Sequence, residues 1–352
     1  MLPIKFVQLD IPTMSEQQWH DLLNARTEFI SESVPDDPLP SHEVQRQSLS
    51  TIPELMDHVI FWLFYDPDAR CVGYCAINHP KIESPDYDAR KERIYVEPVV
   101  LSRYRRQGVG TQLLPVIVDY ARQVGAAWVQ WDTKFESGFR FSEKIGAIEA
   151  GRQRTYRLAV DQVNWALMRQ WRDEGQSRNP DVELIYFEHL PSPKLIDPFC
   201  DLITELNRLQ PSDDVEGMDY TLMPAEFMKE TQRLKDQGKT RAVVCTREPD
   251  HTLSGMTDMV LDAANPIHAS IFQTGVRQNY QGRGLGKWLK AVMMFDIHDR
   301  YPDIEFVDTV NFNSNAPMMS INNRMGFKLF EQFVFYKIRV QDLAAQADST
   351  SR

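Results

Sequence analysis

The feature that most constrains the fold is a unit that occurs twice: an apolar strand-like segment, a glycine loop and an amphipathic helix. The loop is Arg105 to Gly110 in the first copy and Gln281 to Gly286 in the second, and Gly108 and Gly284 lie 176 residues apart. Glycines let a backbone approach a ligand closely, and the N–H groups that begin a helix lack intrahelical partners. Together with the helix dipole, such a unit is suited to bind a pyrophosphate.

Other landmarks repeat at nearly the same offset. They are Asp36 and Asp213 (177 apart), Gly146 and Gly326 (180), Tyr156 and Tyr336 (180), and Pro67 and Pro249 (182). A constant offset over several landmarks predicts two similar domains. We predict an N-terminal domain over residues 1–160, a connecting helix and linker over 161–181, and a C-terminal domain over 182–352.

Apolar patterning and turn residues predict the elements of each half. In the first half we expect a helix over 51–58, a hairpin of strands 60–65 and 71–78, and strands 94–100 and 127–131 on either side of the glycine-loop unit. In the second half we expect strands 241–246, 270–276 and 306–310, a helix over 317–325, and a closing strand over 333–340.

Composition narrows the class of protein. A net charge of -11 argues against a nucleic-acid-coating role, and 42% apolar residues are ordinary for a soluble globular chain. The four cysteines are scattered without a zinc-ligand pattern, so we predict free, mostly buried thiols and no metal site. The N-terminus lacks the apolar run of a signal peptide, and no stretch is long and apolar enough to span a bilayer. These observations predict a cytoplasmic protein.

Further motifs in the second half follow the glycine loop. Asn315-Ala316-Pro317-Met318 precedes Asn323-Arg324-Met325-Gly326-Phe327, and with Gln281 to Gly286 this pattern resembles the GNAT superfamily of N-acyltransferases. The first half resembles it through Arg105 to Gly110 and Ile145-Gly146-Ala147. The tandem arrangement is similar to that of mycothiol synthase and related two-domain acetyltransferases.

The resemblance implies an α/β (α+β) fold with two GNAT-like domains. Each would have a mixed, mostly antiparallel sheet flanked by helices and a V-shaped opening between the strand before the glycine loop and the strand after its helix. It also implies binding of acetyl-CoA as co-substrate and direct transfer of the acetyl group to an amine, with no metal. The residues implied in acetyl-CoA binding are Thr274, Gly275, Val276, Gln281, Gly282, Arg283, Gly284, Leu285, Gly286 and Asn315, with Val100, Arg105, Arg106, Gln107, Gly108, Val109 and Gly110 in the first half.

Each of these implications has a physical basis. The pyrophosphate suits the amides of the loop, the pantetheine arm can pair with a strand edge near Gln273 to Val276, and an amide near Val276 can stabilise an oxyanion. The alternative for either glycine loop is a purely structural turn. Asn315 can cap the following helix as well as lie near the CoA arm.

Catalytic candidates are fewer. Many GNAT enzymes carry a tyrosine acid where this chain has Asn322 in the second half and Ser142 in the first, which argues against a tyrosine acid at either site. Asn322 can hydrogen-bond the thiolate or CoA, but it does not supply a proton usefully. Glu97 and His268 are candidate bases, with surface or structural roles as the alternative. Tyr336 can face a cleft or pack in the core.

The second half carries more of the motif, so we predict that it holds the main site and that the first domain is weaker or structural. The expected acceptor is a small-molecule amine, which the carboxylates of loops 34–38 and 212–216 can attract; those loops can equally be solvated surface. The alternatives are a non-catalytic acyl-CoA-binding module and an acyltransferase with a protein acceptor or a different acyl group. We expect no nucleic-acid or membrane partner and either a monomer or a homodimer.

Overall fold

The computed structural model describes residues 2–350 except 36, 53–56, 85, 211–214, 216–219 and 313–314. Asp36, Asp213 and much of both predicted acidic loops therefore lie outside the described residues. Among the described residues the strands are β1 Lys5–Leu9, β2 Asp57–Tyr65, β3 Cys71–Pro80, β4 Arg93–Val100, β5 Trp128–Thr133, β6 Ile148–Ala159, β7 Glu183–Glu188, β8 Lys239–Arg247, β9 Leu253–Asp262, β10 Asn265–Val276, β11 Phe306–Phe312 and β12 Lys328–Arg339.

Helices separate several of these strands along the chain. They are α1 Glu16–Ser33, α2 His42–Ser50, α3 Tyr87–Arg90, α4 Val109–Gln123, α5 Glu136–Lys144, α6 Trp165–Arg178, α7 Ile196–Leu209, α8 Pro224–Asp236, α9 Leu285–Arg300, α10 Ala316–Met325 and α11 Val340–Thr350. The chain divides into two compact units, Met1–Gly151 with Phe333–Arg352, and Arg152–Gln332.

Each unit has a six-stranded, mixed and mostly antiparallel sheet. The order is β1-β2-β3-β4-β5-β12 in the first unit and β6-β11-β10-β9-β8-β7 in the second. The parallel pairs are β4 with β5 and β10 with β11. The predicted fold class is confirmed.

The two closing strands are exchanged relative to chain order. β6 ends the first half of the sequence, yet Gln153 to Ala159 pair with β11 in the second unit. β12 ends the second half, yet Val334 to Arg339 pair with β5 in the first unit. The compact units therefore do not follow the predicted sequence bounds at 160 and 182, and α6, predicted as a connector, belongs to the second unit.

Each sheet separates two apolar cores because successive side chains of a strand point to opposite faces. On β2, Trp62 and Phe64 pack in the core that holds α4 and α11, whereas Phe61 and Leu63 pack in the core that holds α1. β8 does the same in the second unit, with Ala242 and Val244 facing the core of α6 and α9, and Val243 and Cys245 facing that of α7. Each buried aliphatic or aromatic side chain contributes roughly 1.5–3 kcal/mol.

Several predicted elements differ from the structure. The helix predicted over 51–58 is wrong where residues are described, because α2 ends at Ser50 and His58 lies within β2. β9 and α11 were not predicted. β9 follows the turn after Glu248 and was overlooked, whereas α11 begins directly after Arg339, the last residue of β12, with no turn between them. The hairpin of β2 and β3 is confirmed. All four cysteines are free, and three of them are buried.

In each unit the sheet opens into a V beside the glycine loop, as the resemblance implied. β4 pairs with β5 only from Arg93 to Tyr95, although β4 continues to Val100. β10 pairs with β11 only from His268 to Ile271, although β10 continues to Val276. The last residues of both strands therefore have one edge without a strand partner.

Candidate functional site

The two glycine loops have the same backbone geometry. Gly108 and Gly284 are the N-caps of α4 and α9, with φ of 86° and 84°, a left-handed conformation that favours glycine. Neither glycine has a side chain to cap the helix, so the first-turn N–H groups remain available to an anion. A Cβ placed on Gly282 would meet nothing within 4 Å, so the second loop is open to a ligand.

The predicted second site forms one cavity of about 540 Å³. Its lining includes most of the predicted CoA-binding residues of the second half: Thr274, Gly275, Val276, Gln281, Gly282, Gly284, Leu285, Gly286 and Asn315. The structure thus brings together the free edge of β10, the glycine loop, the start of α9 and the start of α10.

Arg283 is the exception among these residues. Its guanidinium donates to Asn179 Oδ1 at 2.9 Å and to Glu248 Oε1 at 3.0 Å, and it does not line the cavity. Arg283 therefore fixes the outer side of the loop. Gln281 also supports the loop, since its Nε2 donates to the Val276 carbonyl at 3.1 Å.

Two other cations lie at the cavity instead. Arg178, the last residue of α6, and Lys287, in the first turn of α9, both line it. The Arg178 guanidinium lies 3.8 Å from the Cβ position of Gly284. Their positive charges add to the helix dipole and favour an anionic ligand at this end of the cavity.

The free edge of β10 is shaped by a bulge. The β9–β10 register shifts between Ile271 and Thr274, and the displaced Gln273 amide donates to the buried Asp258 carboxylate at 2.8 Å. Arg241 pairs with the same carboxylate. A side chain at Gly275 would lie 2.8 Å from Leu206, so glycine is required where the strand passes α7.

Asn322, predicted as a catalytic candidate, is fully buried and does not line the cavity. Its Nδ2 donates to Asn311 Oδ1 at 2.7 Å, and Asn311 does line the cavity. The first unit has the same pair 180 positions earlier, where Trp131 Nε1 donates to Ser142 Oγ at 2.9 Å. Asn322 is therefore placed to position Asn311.

Asn315 caps a helix as expected and also lines the cavity, and its place near the CoA arm stays a prediction. Its Oδ1 accepts from the Met318 amide at 3.3 Å and caps α10, and the residue lines the cavity.

His268, a candidate base, is buried among structural contacts at the start of the V. Its Nδ1 lies 3.7 Å from Asp308 Oδ2, and its ring stacks on Phe306. Burial opposes ionisation of Asp308, but hydrogen bonds from His268 and Arg157 outweigh it, so the pKa of this carboxyl is lowered. His268 does not line the cavity, and a catalytic role for it stays a prediction.

The first unit has a smaller cavity of about 340 Å³ at the equivalent place. Val100, Arg105, Arg106, Gly108, Val109 and Gly110 line it, whereas Gln107 does not and donates to the Arg103 carbonyl. Arg105 forms a two-hydrogen-bond ion pair with Glu32, at 2.6 Å for each bond, and lies over the Phe135 ring. The Arg105 guanidinium and the Phe135 ring are therefore already engaged in contacts within the protein.

A carboxyl group in the lining, that of Asp132, distinguishes the first cavity from the second, and Glu97 lies nearby without lining it. Glu97 and Asp132 lie two residues beyond the last paired residues of β4 and β5, where the strands separate. The Tyr95 hydroxyl donates to Asp132, which lines the cavity. Burial raises the pKa of Asp132; burial and the Asp132 charge raise the pKa of Glu97, although the Glu97 residue itself reaches the surface. Carboxyls with raised pKa values are suited to accept a proton near neutral pH.

Tyr336 follows β12 into the first unit. It pairs with Trp131 across the strands, stacks on that ring at 6.1 Å, and packs in the core. Tyr156 correspondingly packs in the core of the second unit. Neither tyrosine lines a described cavity.

Three residues that line the cavities were not predicted from the sequence: Arg178, Asp132 and Lys290. Lys290 lies on α9, is 1% exposed and lines the second cavity. Subtracting the loop offset of 176 gives Leu114, which also lines its cavity. A charged residue at an apolar position of the repeat is the signal that aligning the two halves could have revealed.

Comparison with known proteins agrees with this geometry. The Acetyltransferase (GNAT) family profile matches residues 18–137, in the half with fewer motif residues. A search of curated protein sequences gives no significant match.

Solved structures resemble the whole chain. A tandem GNAT protein from the clavulanic acid biosynthesis pathway superposes with a TM-score of 0.74 at 17% identity, covering 96% of this chain and 99% of that one. A GCN5-related N-acetyltransferase from Sphaerobacter thermophilus gives 0.65 at 16%, covering 97% of each chain. A GCN5-related glucosamine N-acetyltransferase region of a fungal multi-domain GH3 β-N-acetylglucosaminidase gives 0.65 at 13%, covering 96% of this chain and 38% of that one.

These findings define the fold. Residues 18–137 match the GNAT acetyltransferase profile, and the chain as a whole has the fold of tandem GNAT proteins. Within the described ranges, no helix is long and apolar enough to cross a membrane, and no group of three or more His, Cys, Asp or Glu side chains is placed to hold a metal ion.

Proposed function

We propose that the protein transfers the acetyl group of acetyl-CoA directly to a small-molecule amine, with the main site in the second unit. The observation that carries this proposal is that one cavity of about 540 Å³ joins an open glycine loop, two cations and a free strand edge. Each of these features matches one part of the co-substrate.

The polar end of the co-substrate suits the glycine loop. The amides of Leu285, Gly286 and Lys287 begin α9 without a side-chain cap, and Arg178 and Lys287 supply positive charge beside them. This donor set fits a pyrophosphate. The amide-bearing pantetheine arm suits the edge of β10 beyond Ile271, where β10 no longer pairs with β11. This free edge can form backbone hydrogen bonds with the arm, as it would with an added strand.

Transfer requires a neutral amine and a donor that stabilises the oxyanion of the tetrahedral state. Backbone amides along Thr274 to Val276 border the cavity and are the candidate donors. The described lining of this cavity contains no carboxyl or imidazole group. We therefore propose that the amine binds already deprotonated, or loses its proton to solvent, rather than to an acidic side chain of this cleft.

The first unit is a candidate for a second transfer site. Glu97 and Asp132 offer bases with raised pKa values at the opening of its V, and the family match covers this half. Its smaller cavity and the Arg105–Glu32 ion pair favour weaker binding of the co-substrate.

The experiment is a thiol-release assay with acetyl-CoA and a panel of small amines, run beside a CoA titration. We expect release that depends on the amine, with intersecting initial-velocity lines, since direct transfer needs both substrates bound together. Tight CoA binding without release for any amine would instead favour a non-catalytic binding module. Release only with peptide amines, or only with another acyl-CoA, would replace the acceptor or the acyl group in the proposal.

A further inference from the structure

Lys290 is a buried residue of α9 that lines the second cavity. It lies one helical turn beyond Gly286, and residues four apart share a face of a helix. Gly286 itself faces the V, since its Cβ position lies 3.9 Å from both Val276 and Ile321. Lys290 therefore lies on the same wall, one helical turn farther from the glycine loop. Thr309 and Asn311 of β11 also line this cavity.

The amine has no anionic partner in the described part of the chain. It forms no ion pair or hydrogen bond there. Lys290 Nζ lies over the Phe327 ring, 5.5 Å from the ring centroid. The other charged lining residues are the cations Arg178 of α6 and Lys287 of α9, whereas the lining residues of α7, β10, β11 and α10 are uncharged. Burial of a lysine without a carboxylate favours its neutral, nucleophilic form.

The fold does not require a lysine at this position. The equivalent residue of the first unit is Leu114, which is buried and lines the smaller cavity. A leucine packs at the same position of the helix in the first unit, so packing alone does not account for the amine in the second unit. Burying an unpaired amine disfavours folding, which makes a purely structural explanation weak.

We propose that Lys290 Nζ is a self-acylation site, which takes an acyl group from an acyl-CoA bound in the second cavity when no acceptor is present. The inference rests on the proposed binding of acyl-CoA there. The lone pair of Nζ forms a bond to the thioester carbonyl carbon, the C–S bond breaks with its electron pair on sulfur, and the proton lost by nitrogen goes to that sulfur. The products are an amide on Lys290 and the free CoA thiol.

The product is a dead end rather than an intermediate of transfer. An amide does not donate its acyl group to an amine, so self-acylation leaves the direct-transfer reaction unchanged in kind. It removes the amine that Lys290 contributes to the cavity wall and adds an acyl chain to the wall.

Incubation of the full-length protein with acetyl-CoA alone, followed by intact-mass measurement and peptide mapping, tests the proposal. We expect one acetyl group per chain, on Lys290. The rate should rise as the pH increases through about 7, where burial places the pKa of Lys290, and then level off. Lys290→Leu, which copies Leu114, should abolish the modification, and Lys328→Leu, which removes a surface lysine of the same unit, should leave it unchanged.

Binding is measured on the same samples by calorimetric CoA titration, with Gly286→Trp as the variant that fills the cavity. If Gly286→Trp abolishes CoA binding but Lys290 of the wild-type protein stays unmodified even at high pH, self-acylation is overturned and the proposed CoA site is not. CoA binding that Gly286→Trp does not change would overturn the proposed site and the self-acylation with it. Acetylation of Lys290 that persists in Gly286→Trp would show reaction with free acetyl-CoA from solution and would also contradict the proposal.

Discussion

At the scale of single residues, one difference between the two cavities is that Lys290 lines the second where Leu114 lines the first. Both positions face a cleft on the helix that follows a glycine loop, and one carries an amine. Burial lowers the pKa of Lys290 to about 7 from 10.5. Below about pH 7 the folded protein holds this amine charged and desolvated, which opposes folding most strongly there.

Lys290→Met should therefore stabilise the second unit in a pH-dependent way. Between about pH 7 and 10.5 the unfolded chain binds a proton that the folded chain does not, so wild-type stability rises with pH. The advantage of Lys290→Met should be greatest at or below pH 7 and shrink by about 1.4 kcal/mol per pH unit above it. Urea unfolding followed by tryptophan fluorescence at several pH values measures this gap. A gap that stays constant over the range would contradict the assigned burial of the charge.

Asn322 was predicted as a catalytic candidate, but its buried hydrogen bond to Asn311 indicates that it positions Asn311 instead. Asn322→Leu should leave Asn311 Oδ1 without its buried donor and lower the free energy of unfolding by about 1–3 kcal/mol. The kinetic effect should be mainly on the KM for acetyl-CoA, because Asn311 rather than Asn322 lines the cavity. A large loss of kcat with unchanged KM would restore Asn322 as a catalytic group. Ser142→Ala, in the matched pair of the first unit, is the control for stability alone.

Glu97 can be tested in isolation from the second cleft. In the Gly286→Trp background any remaining thiol release should come from the first unit, and Glu97→Gln should reduce it by roughly 10²–10⁴-fold, the usual contribution of a general base. In the Gly286→Trp protein the residual rate should rise as the pH increases through the raised pKa of Glu97. In the protein that also carries Glu97→Gln this rise should be absent. A residual rate that Glu97→Gln leaves intact would assign proton removal to another group.

At the scale of elements, β6 and β12 change places between the units. β5 pairs with β12, and α11, which follows β12, packs on α4 in the first unit's core. A protein cut to residues 1–160 keeps β5 and α4 but lacks both of these partners. We expect this fragment to be poorly folded by amide hydrogen exchange and to recover protection when residues 161–352 are supplied as a separate chain. A fragment that folds alone would mean that β6 can replace β12 beside β5.

Local elements were predictable where a turn or a glycine marks their ends. The loop at Gly284, the cap at Asn315 and the hairpin of β2 and β3 follow from residue chemistry and were predicted. The strand exchange was not, because β6 and β12 carry similar apolar patterns, and the pattern alone does not decide which of them pairs with β5 and which with β11. Pairing between similar strands depends on tertiary contacts such as those of α11, which no local pattern encodes.

At the scale of the whole molecule, two copies of one fold carry clefts of different chemistry. The cleft of the second unit is larger, and its lining joins the free edge of β10 to cations and contains no carboxyl group. The cleft of the first unit is smaller, and its lining contains the carboxyl group of Asp132 as well as cations such as Arg105 and Arg106. The site residues of the second cleft were largely predicted because the glycine loop and the Asn315 segment are local motifs. Arg178 and Lys290 were not, because their relation to the cleft depends on how α6 and α9 pack.

The most direct test of the central claim is calorimetric titration of CoA into wild-type, Gly286→Ala and Gly286→Trp proteins. The Cβ position of Gly286 is 3.9 Å from its nearest neighbours, so alanine fits within the helix without strain, whereas tryptophan fills the cavity. We predict that Gly286→Ala keeps most of the binding, and that Gly286→Trp loses the tighter site together with most of the amine-dependent thiol release. Unchanged CoA affinity and turnover in Gly286→Trp, with an intact fold by circular dichroism, would contradict the assignment of the main site to the second unit.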